Sequence, residues 1–376
     1  MQTNFDADFS VEENISRLAE GFNAIDLSGS YSLFSFPELA EGTVEGYLKL
    51  GAGHALADGA FELRKSLSEY ISKKYFRNYS PVNEIVITAG AVQSVFTAIA
   101  ATVKEGDEVI IFEPIHESLA TAIKICGARP IFIKIKDDES IIDWAAVQKA
   151  ITPNTKLIVI CTPHGLLGRV FTSDDLDNLQ KLINGTKIKV ISDESLSEIV
   201  YSDTITSSVT FYPKLADNSY IIGSLSQSMG VPGWEVGYCV APKELMDRFR
   251  KVHRAVVSSV SHPVQLAIED CLSKNKILSV NMEPLEQNKN SFCRIISNSK
   301  FKILPISGGY FQVLSYSAIT STKDTEFVEM LVREHGVAVA PMSVFHHDRL
   351  CRQQVRVNLA VPPELLVEGA YRLAKL

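Results

Sequence analysis

Between about Asn83 and Val260 the chain alternates strand-like and helix-like segments. No other feature constrains the fold as tightly. EIVIT, EVIIF, PIFIKI, KLIVIC, KIKVISDE, YIIGS and VGYCVA are short apolar runs, rich in Val and Ile, bounded by turn residues. Helical patterns fill the gaps at 91–103, 118–126, 144–151 and 173–182, the last opened by the cap-like run TSDD, and a long helix is expected over 243–260. Strand–helix–strand crossovers of this kind build a mostly parallel sheet covered on both faces. Ligands on such sheets bind beyond the carboxyl ends of the strands. The positions of interest therefore follow Thr88, Phe112, Cys161, Ile191 and Gly223.

The pattern changes after about Lys276. A polar helix is expected over 277–297, then the strand GGYFQVL, a helix near 325–335, the strands VAVAP and QVRVNLA, and a last helix. The predicted organisation is an N-terminal arm (1–45) that joins a smaller α+β domain, a large α/β domain (46–275) and the C-terminal part of the small domain (276–376). The net charge of −7 comes without any basic tract, which argues against nucleic acid as a partner. The apolar runs are strand-length, so no membrane span is predicted, and the acidic start has no signal-peptide pattern. The six cysteines show no metal or CxxC spacing, which points to buried thiols in a reducing, cytoplasmic setting.

Seven segments, in order, resemble those of fold-type I pyridoxal-phosphate enzymes of the class I/II aminotransferase group. They are GAFELRKSLSEYI, EIVITAGAVQSVF, EGDEVIIFEPIHESL, TPHGLLGRVF, ISDESLSEIVY, SLSQSMGVPGWEVGYCVAP and QVRVNLA. The resemblance covers nearly the whole chain. It implies a large domain on a seven-stranded, mostly parallel sheet, a smaller α+β domain, and a homodimer with sites at the interface.

Carried over residue by residue, the resemblance implies an altered cofactor site. Gln227 stands at the position of the Schiff-base lysine, and an amide is no nucleophile toward an aldehyde. Glu235 stands at the position of the phosphate-binding arginine. A carboxylate ~4 Å from a phosphate costs ~4 kcal/mol per charge pair at an effective dielectric of ~20. His54 matches the phosphate-contacting tyrosine of the partner subunit, and His116 the aromatic that stacks on the ring. Gly165 and Leu196 replace the asparagine and tyrosine that hold the phenolic oxygen. Retained are the Gly90–Ala91 turn, Ser224, His164, Asp193 as partner of the ring nitrogen, and Arg356 as the clamp for a substrate carboxylate. Asp193 is expected to be a desolvated acid with a raised pKa unless His164 pairs with it.

The reading that follows is a pseudoenzyme, or a binder of a small carboxylate ligand in the old cleft. Pyridoxal phosphate would bind weakly and without a covalent bond, so no cofactor and no resident metal are expected. One alternative is a repurposed enzyme using His54, His116, Asp193 and Glu235 for acid–base or metal chemistry. Another is a residual aminotransferase acting on an amino acid. The pair His346–His347 reads as a solvated loop, since adjacent side chains point apart.

Overall fold

The structure, a computed structural model, describes residues 10–29, 46–48, 53, 55–136, 141–202, 204, 207–274 and 280–376. Helix α1 (Val11–Gly21) and strand β1 (Ile25–Asp26) open the chain, and helix α2 (Phe61–Tyr75) precedes the main sheet. That sheet is built from β2 (Ile85–Ala89), β3 (Glu108–Glu113), β4 (Arg129–Lys136), β5 (Ile141–Ile142), β6 (Thr155–Cys161), β7 (Lys189–Asp193), β8 (Ser219–Ser224) and β9 (Val236–Val240). Helix α3 (Gly90–Thr102) follows β2, and helix α4 (Glu117–Ile125) follows β3.

The strand order is β2-β9-β8-β7-β6-β3-β4-β5. Pairings from β8 to β4 are all parallel, whereas β9 runs antiparallel to both its neighbours and β5 to β4. The expected seven strands are present. The two-residue β5 adds an eighth at the edge.

Strand pleating explains the apolar runs. Ile85, Ile87, Ile110, Ile158 and Val190 enter one hydrophobic cluster, while Val86, Val109, Ile111, Leu157 and Ile191 enter another on the opposite face. Both faces are covered, so nearly every strand position is buried and alternation disappears from the sequence.

A second sheet, ordered β10-β11-β14-β13, comprises β10 (Lys302–Ile303), β11 (Phe311–Ser315), β13 (Ala340–Pro341) and β14 (Gln354–Asn358). Strand β12 (Val337–Ala338) pairs in parallel with β1 instead. That pairing seats α1 beside this sheet, with Ile15 and Ala19 buried. The capping box of Ser10 and Glu13 fixes where α1 starts.

The helix expected over 277–297 begins only at Glu283, with Pro284 in its first turn. The helix expected over 243–260 ends at Val256. The domain boundary expected after residue 275 falls outside the described residues, and the one expected after residue 45 meets only the described segment 46–48. Among the described residues, no helix is long and apolar enough to cross a membrane.

Candidate active site

The carboxyl ends of β3, β6 and β7 open into a cavity of about 1000 Å³. Parallel register brings Cys161 beside Asp193, so the tips of β6 and β7 share its floor. His116, His164, Gly165, Asp193, Leu196 and Arg356 all line this cavity. Much of the remaining wall is apolar, including Val92, Phe96, Ile115, Leu119, Leu166 and Phe311.

Asp193 receives the Ser195 backbone N–H at 3.0 Å. Burial pushes its carboxyl above the ordinary value, and the Ser195 hydrogen bonds only partly offset this. His164 does not pair with it. His164 Nδ1 instead accepts the N–H groups of Leu166 and Leu167, both at 3.3 Å. Burial brings its pKa down to about 4, so the ring is neutral near pH 7.

Arg356 comes from the middle of β14, opposite Val313 of β11, and is only 2% exposed. Its guanidinium lies 3.9 Å from the Phe311 ring centroid and 4.8 Å from that of Phe345. Nη2 donates to Glu12 Oε1 at 3.1 Å and to the Ser28 carbonyl at 3.3 Å.

A second group of expected residues gathers at the neighbouring strand ends rather than among the cavity-lining residues. Pairing of β2 with β9 sets Ala89 beside Val236, and pairing of β8 with β9 sets Ser224 beside Gly237. Gly90, Ala91, Ser224, Gln227 and Glu235 therefore converge. Ser224 Oγ caps the short helix Leu225–Ser228 by accepting the Gln227 N–H at 3.1 Å. Gln227 Oε1 accepts the Tyr310 hydroxyl at 2.5 Å. Glu235 adopts a left-handed backbone, φ 48°. A Cβ added to Gly90 would lie 2.3 Å from Glu235 Oε2, so this carboxylate rests on the bare face of the first residue of α3. Gly237 is required for the same close approach, since a Cβ there would lie 2.7 Å from the Gly90 carbonyl carbon.

His116 caps α4, its Nδ1 accepting the Ser118 N–H at 3.4 Å. His54 lies outside the described residues. Among the described residues, no group of three or more His, Cys, Asp or Glu is placed to hold a metal ion. Of the described members of the constellation His54, His116, Asp193 and Glu235, His116 and Asp193 line the cavity, while Glu235 rests at the start of α3.

The pair His346–His347 is not a solvated loop. His346 is buried with its Nδ1 3.9 Å from Glu113 Oε2, while His347 bonds to Glu113 at 2.9 Å and stacks on Phe132 with centroids 4.2 Å apart. Burial raises the Glu113 carboxyl, but the two histidines outweigh it and hold the group below its ordinary value.

The site residues that the sequence did not reveal are Glu12, Glu113 and Tyr310. Each reaches its partner across more than eighty positions of sequence. The helix start at Ser10–Glu13 was readable as a capping box, but which way Glu12 faces was not.

The sequence profile of the family "Aminotransferase class I and II" matches residues 39–373. This chain belongs to that family. It is 32% identical to the methionine aminotransferase of Escherichia coli strain K12 over 369 residues, 98% of this chain and 96% of that protein. A probable N-acetyl-LL-diaminopimelate aminotransferase of Bacillus subtilis is 30% identical, over 84% of this chain and 79% of its own length. Among solved structures, an Escherichia coli protein with a methionine aminotransferase function superposes with a TM-score of 0.93 at 31% identity, covering 98% of both chains. N-succinyldiaminopimelate aminotransferase from Mycobacterium tuberculosis shares the fold, with a TM-score of 0.91 at 22% identity and coverage of 98% and 97%.

These relatives overturn the expectation of a pseudoenzyme. Proteins similar along 84–98% of this chain are named for aminotransferase activity, which supports an enzyme. They also overturn the expectation of no cofactor: pyridoxal phosphate is the group to expect in this family's cleft. The physical reason lies in what this aminotransferase-family chain keeps. Asp193 and Arg356, which the resemblance assigns to ring nitrogen and substrate carboxylate, face one cavity.

The fit to the cofactor differs from end to end. A half-buried Asp193 that lines the cavity without a cationic partner suits a ring nitrogen. At the phosphate end, Ser224 and the α3 N-terminus suit an anion, but the Glu235 carboxylate already rests there. Among the described residues lining the cavity there is no lysine, and Gln227 supplies an amide.

Proposed function

We propose that this chain is an aminotransferase that moves an amino group between an amino acid with an apolar side chain and a 2-oxo acid. The reading rests on one observation above the others. Arg356 and Asp193 line a single, largely apolar cavity in a chain 32% identical along 98% of its length to a methionine aminotransferase.

Pyridoxal phosphate, when bound, supplies the electron sink for chemistry at the substrate α-carbon. This chain's own residues bind and orient. Arg356, pinned between Phe311 and Phe345, offers a preorganised fork to the substrate carboxylate. Asp193, its carboxyl pushed above the ordinary value by burial, would stand as the acid partner of a ring nitrogen. Neutral His164 fixes the loop at Leu166 and Leu167, which floors the cavity. The apolar wall excludes water and accepts an apolar side chain. Tyr310 orients the Gln227 amide, which brings no amine to proton transfer. The exchange is therefore slow, and in this respect the enzyme is unconventional.

The test is product formation, followed by mass spectrometry, from methionine and other apolar amino acids with 2-oxoglutarate and pyridoxal phosphate. An absorbance titration of the cofactor accompanies it. No product above the protein-free control, with no spectral change, would sink the reading.

The same reading includes a cytoplasmic homodimer. Val92, which lines the cavity, and Ile125 are each 69% exposed, an apolar rim suited to a second copy. Light scattering reporting a monomer would remove that part.

A further inference from the structure

Arg356 is not waiting empty. Its Nη2 contacts a carboxylate from its own chain, Glu12 Oε1, at 3.1 Å. The Glu12 side chain is 21% exposed and lines the same cavity as Arg356 and Asp193. The guanidinium is used on one side only, because Nε is buried and has no hydrogen-bond partner. A bidentate carboxylate would satisfy both edges of that fork. An arginine buried between two aromatic rings, with one donor orphaned, is costly to leave half-met. Glu12 belongs to the first turn of α1, so its carboxylate can withdraw without breaking either sheet.

We propose that Glu12 is a resident carboxylate that occupies the Arg356 subsite and must be displaced by the substrate carboxylate. It acts as a specificity gate and not as a reacting group. The inference rests on the proposed function, in that Arg356 is taken to receive the substrate carboxylate. A tethered group competes at an effective concentration on the order of millimolar. It therefore discriminates against weakly bound carboxylates. A ligand that also fills the apolar wall gains the affinity needed to displace it. Neutral ligands of the same shape do not compete for the arginine and are indifferent to Glu12.

The experiment uses the full chain, with hexanoate and hexanamide as probes in calorimetric titrations of wild type, Glu12→Ala and Arg356→Gln. Amide hydrogen exchange across 11–21 is followed in the wild type with and without hexanoate. Expected results are hexanoate binding tightened about tenfold by Glu12→Ala, hexanamide binding unchanged, hexanoate binding lost in Arg356→Gln, and faster exchange in α1 when hexanoate binds. If Glu12→Ala leaves hexanoate affinity unchanged while Arg356→Gln abolishes it, the gate is overturned and the carboxylate subsite stands. If Arg356→Gln binds hexanoate as the wild type does, both the gate and that subsite fall. Should Glu12→Ala not fold, unchanged exchange in wild-type α1 on saturation with hexanoate overturns the gate by itself.

Discussion

The Tyr310 hydroxyl donates to Gln227 Oε1 at 2.5 Å, tying the residue before β11 to the turn after β8. Burial holds the Tyr310 hydroxyl protonated by raising its pKa, so it stays a donor across the working range. The amide is thereby fixed at the position the family motif gives to lysine.

Placing an amine there is the most direct probe of the catalytic cleft. Gln227→Lys is expected to form a borohydride-trapped adduct with pyridoxal phosphate, mapped by peptide mass to residue 227. Transamination should rise by about 10²-fold or more, because a positioned amine restores nucleophile and proton carrier together. No adduct at residue 227 would show that this position does not face the aldehyde.

Glu235 gives a prediction about the phosphate end. Its carboxylate rests against Gly90 at the start of α3, where the helix end favours an anion. Glu235→Arg replaces repulsion by attraction. At ~4 Å a charge pair contributes between ~1 kcal/mol in water and ~4 kcal/mol at an effective dielectric of ~20. Because Glu235 is exposed, the lower end applies, and pyridoxal phosphate affinity should tighten roughly tenfold, and less at high salt. The backbone tolerates the change, since arginine and glutamate meet the same limits at φ 48°. An absorbance titration at two salt concentrations reads the effect, and equal affinity of the two proteins would place Glu235 away from the phosphate.

These positions also mark how far the sequence carries. The main sheet was legible because β3, β6 and β8 are unbroken apolar runs between turn residues, as strands covered on both faces must be. Asp193 and Arg356 were legible because their motifs lie on strands whose register fixes where they point. Glu12, Tyr310 and the Glu113–His347 pair were not, because each contact closes a long loop between separate elements. No local pattern encodes such a meeting. His346 shows the reverse failure: two adjacent polar residues read as a surface loop, yet one is buried, with its Nδ1 3.9 Å from Glu113.

Arg356 carries the binding prediction. Arg356→Gln removes a charged fork from a 2%-exposed site. A hydrogen bond to a charged group contributes ~1.5–3 kcal/mol, so KM for amino-acid substrates should rise on the order of 10²-fold, with a smaller change in kcat. Arg356→Lys should rescue little, since an ammonium cannot reproduce the planar fork. A fall in kcat with unchanged KM would instead place Arg356 in transition-state stabilisation alone.

His164 yields a prediction about stability against pH. Its folded-state pKa lies near 4, while an unfolded histidine has the ordinary value of 6.5. Between those two values the unfolded chain binds the extra proton, so stability rises with pH across this window. The contribution is fully present above about pH 6.5 and is lost as pH falls toward 4, and for one group amounts to ~3 kcal/mol. His164→Asn keeps an acceptor for the Leu166 and Leu167 N–H groups but removes the titration. Urea unfolding of the variant should therefore show a flatter dependence on pH between 6.5 and 4 than the wild type, whatever its absolute stability. Equal slopes in the two proteins would mean that His164 is protonated in the folded state and that the floor of the cavity carries a positive charge in acid.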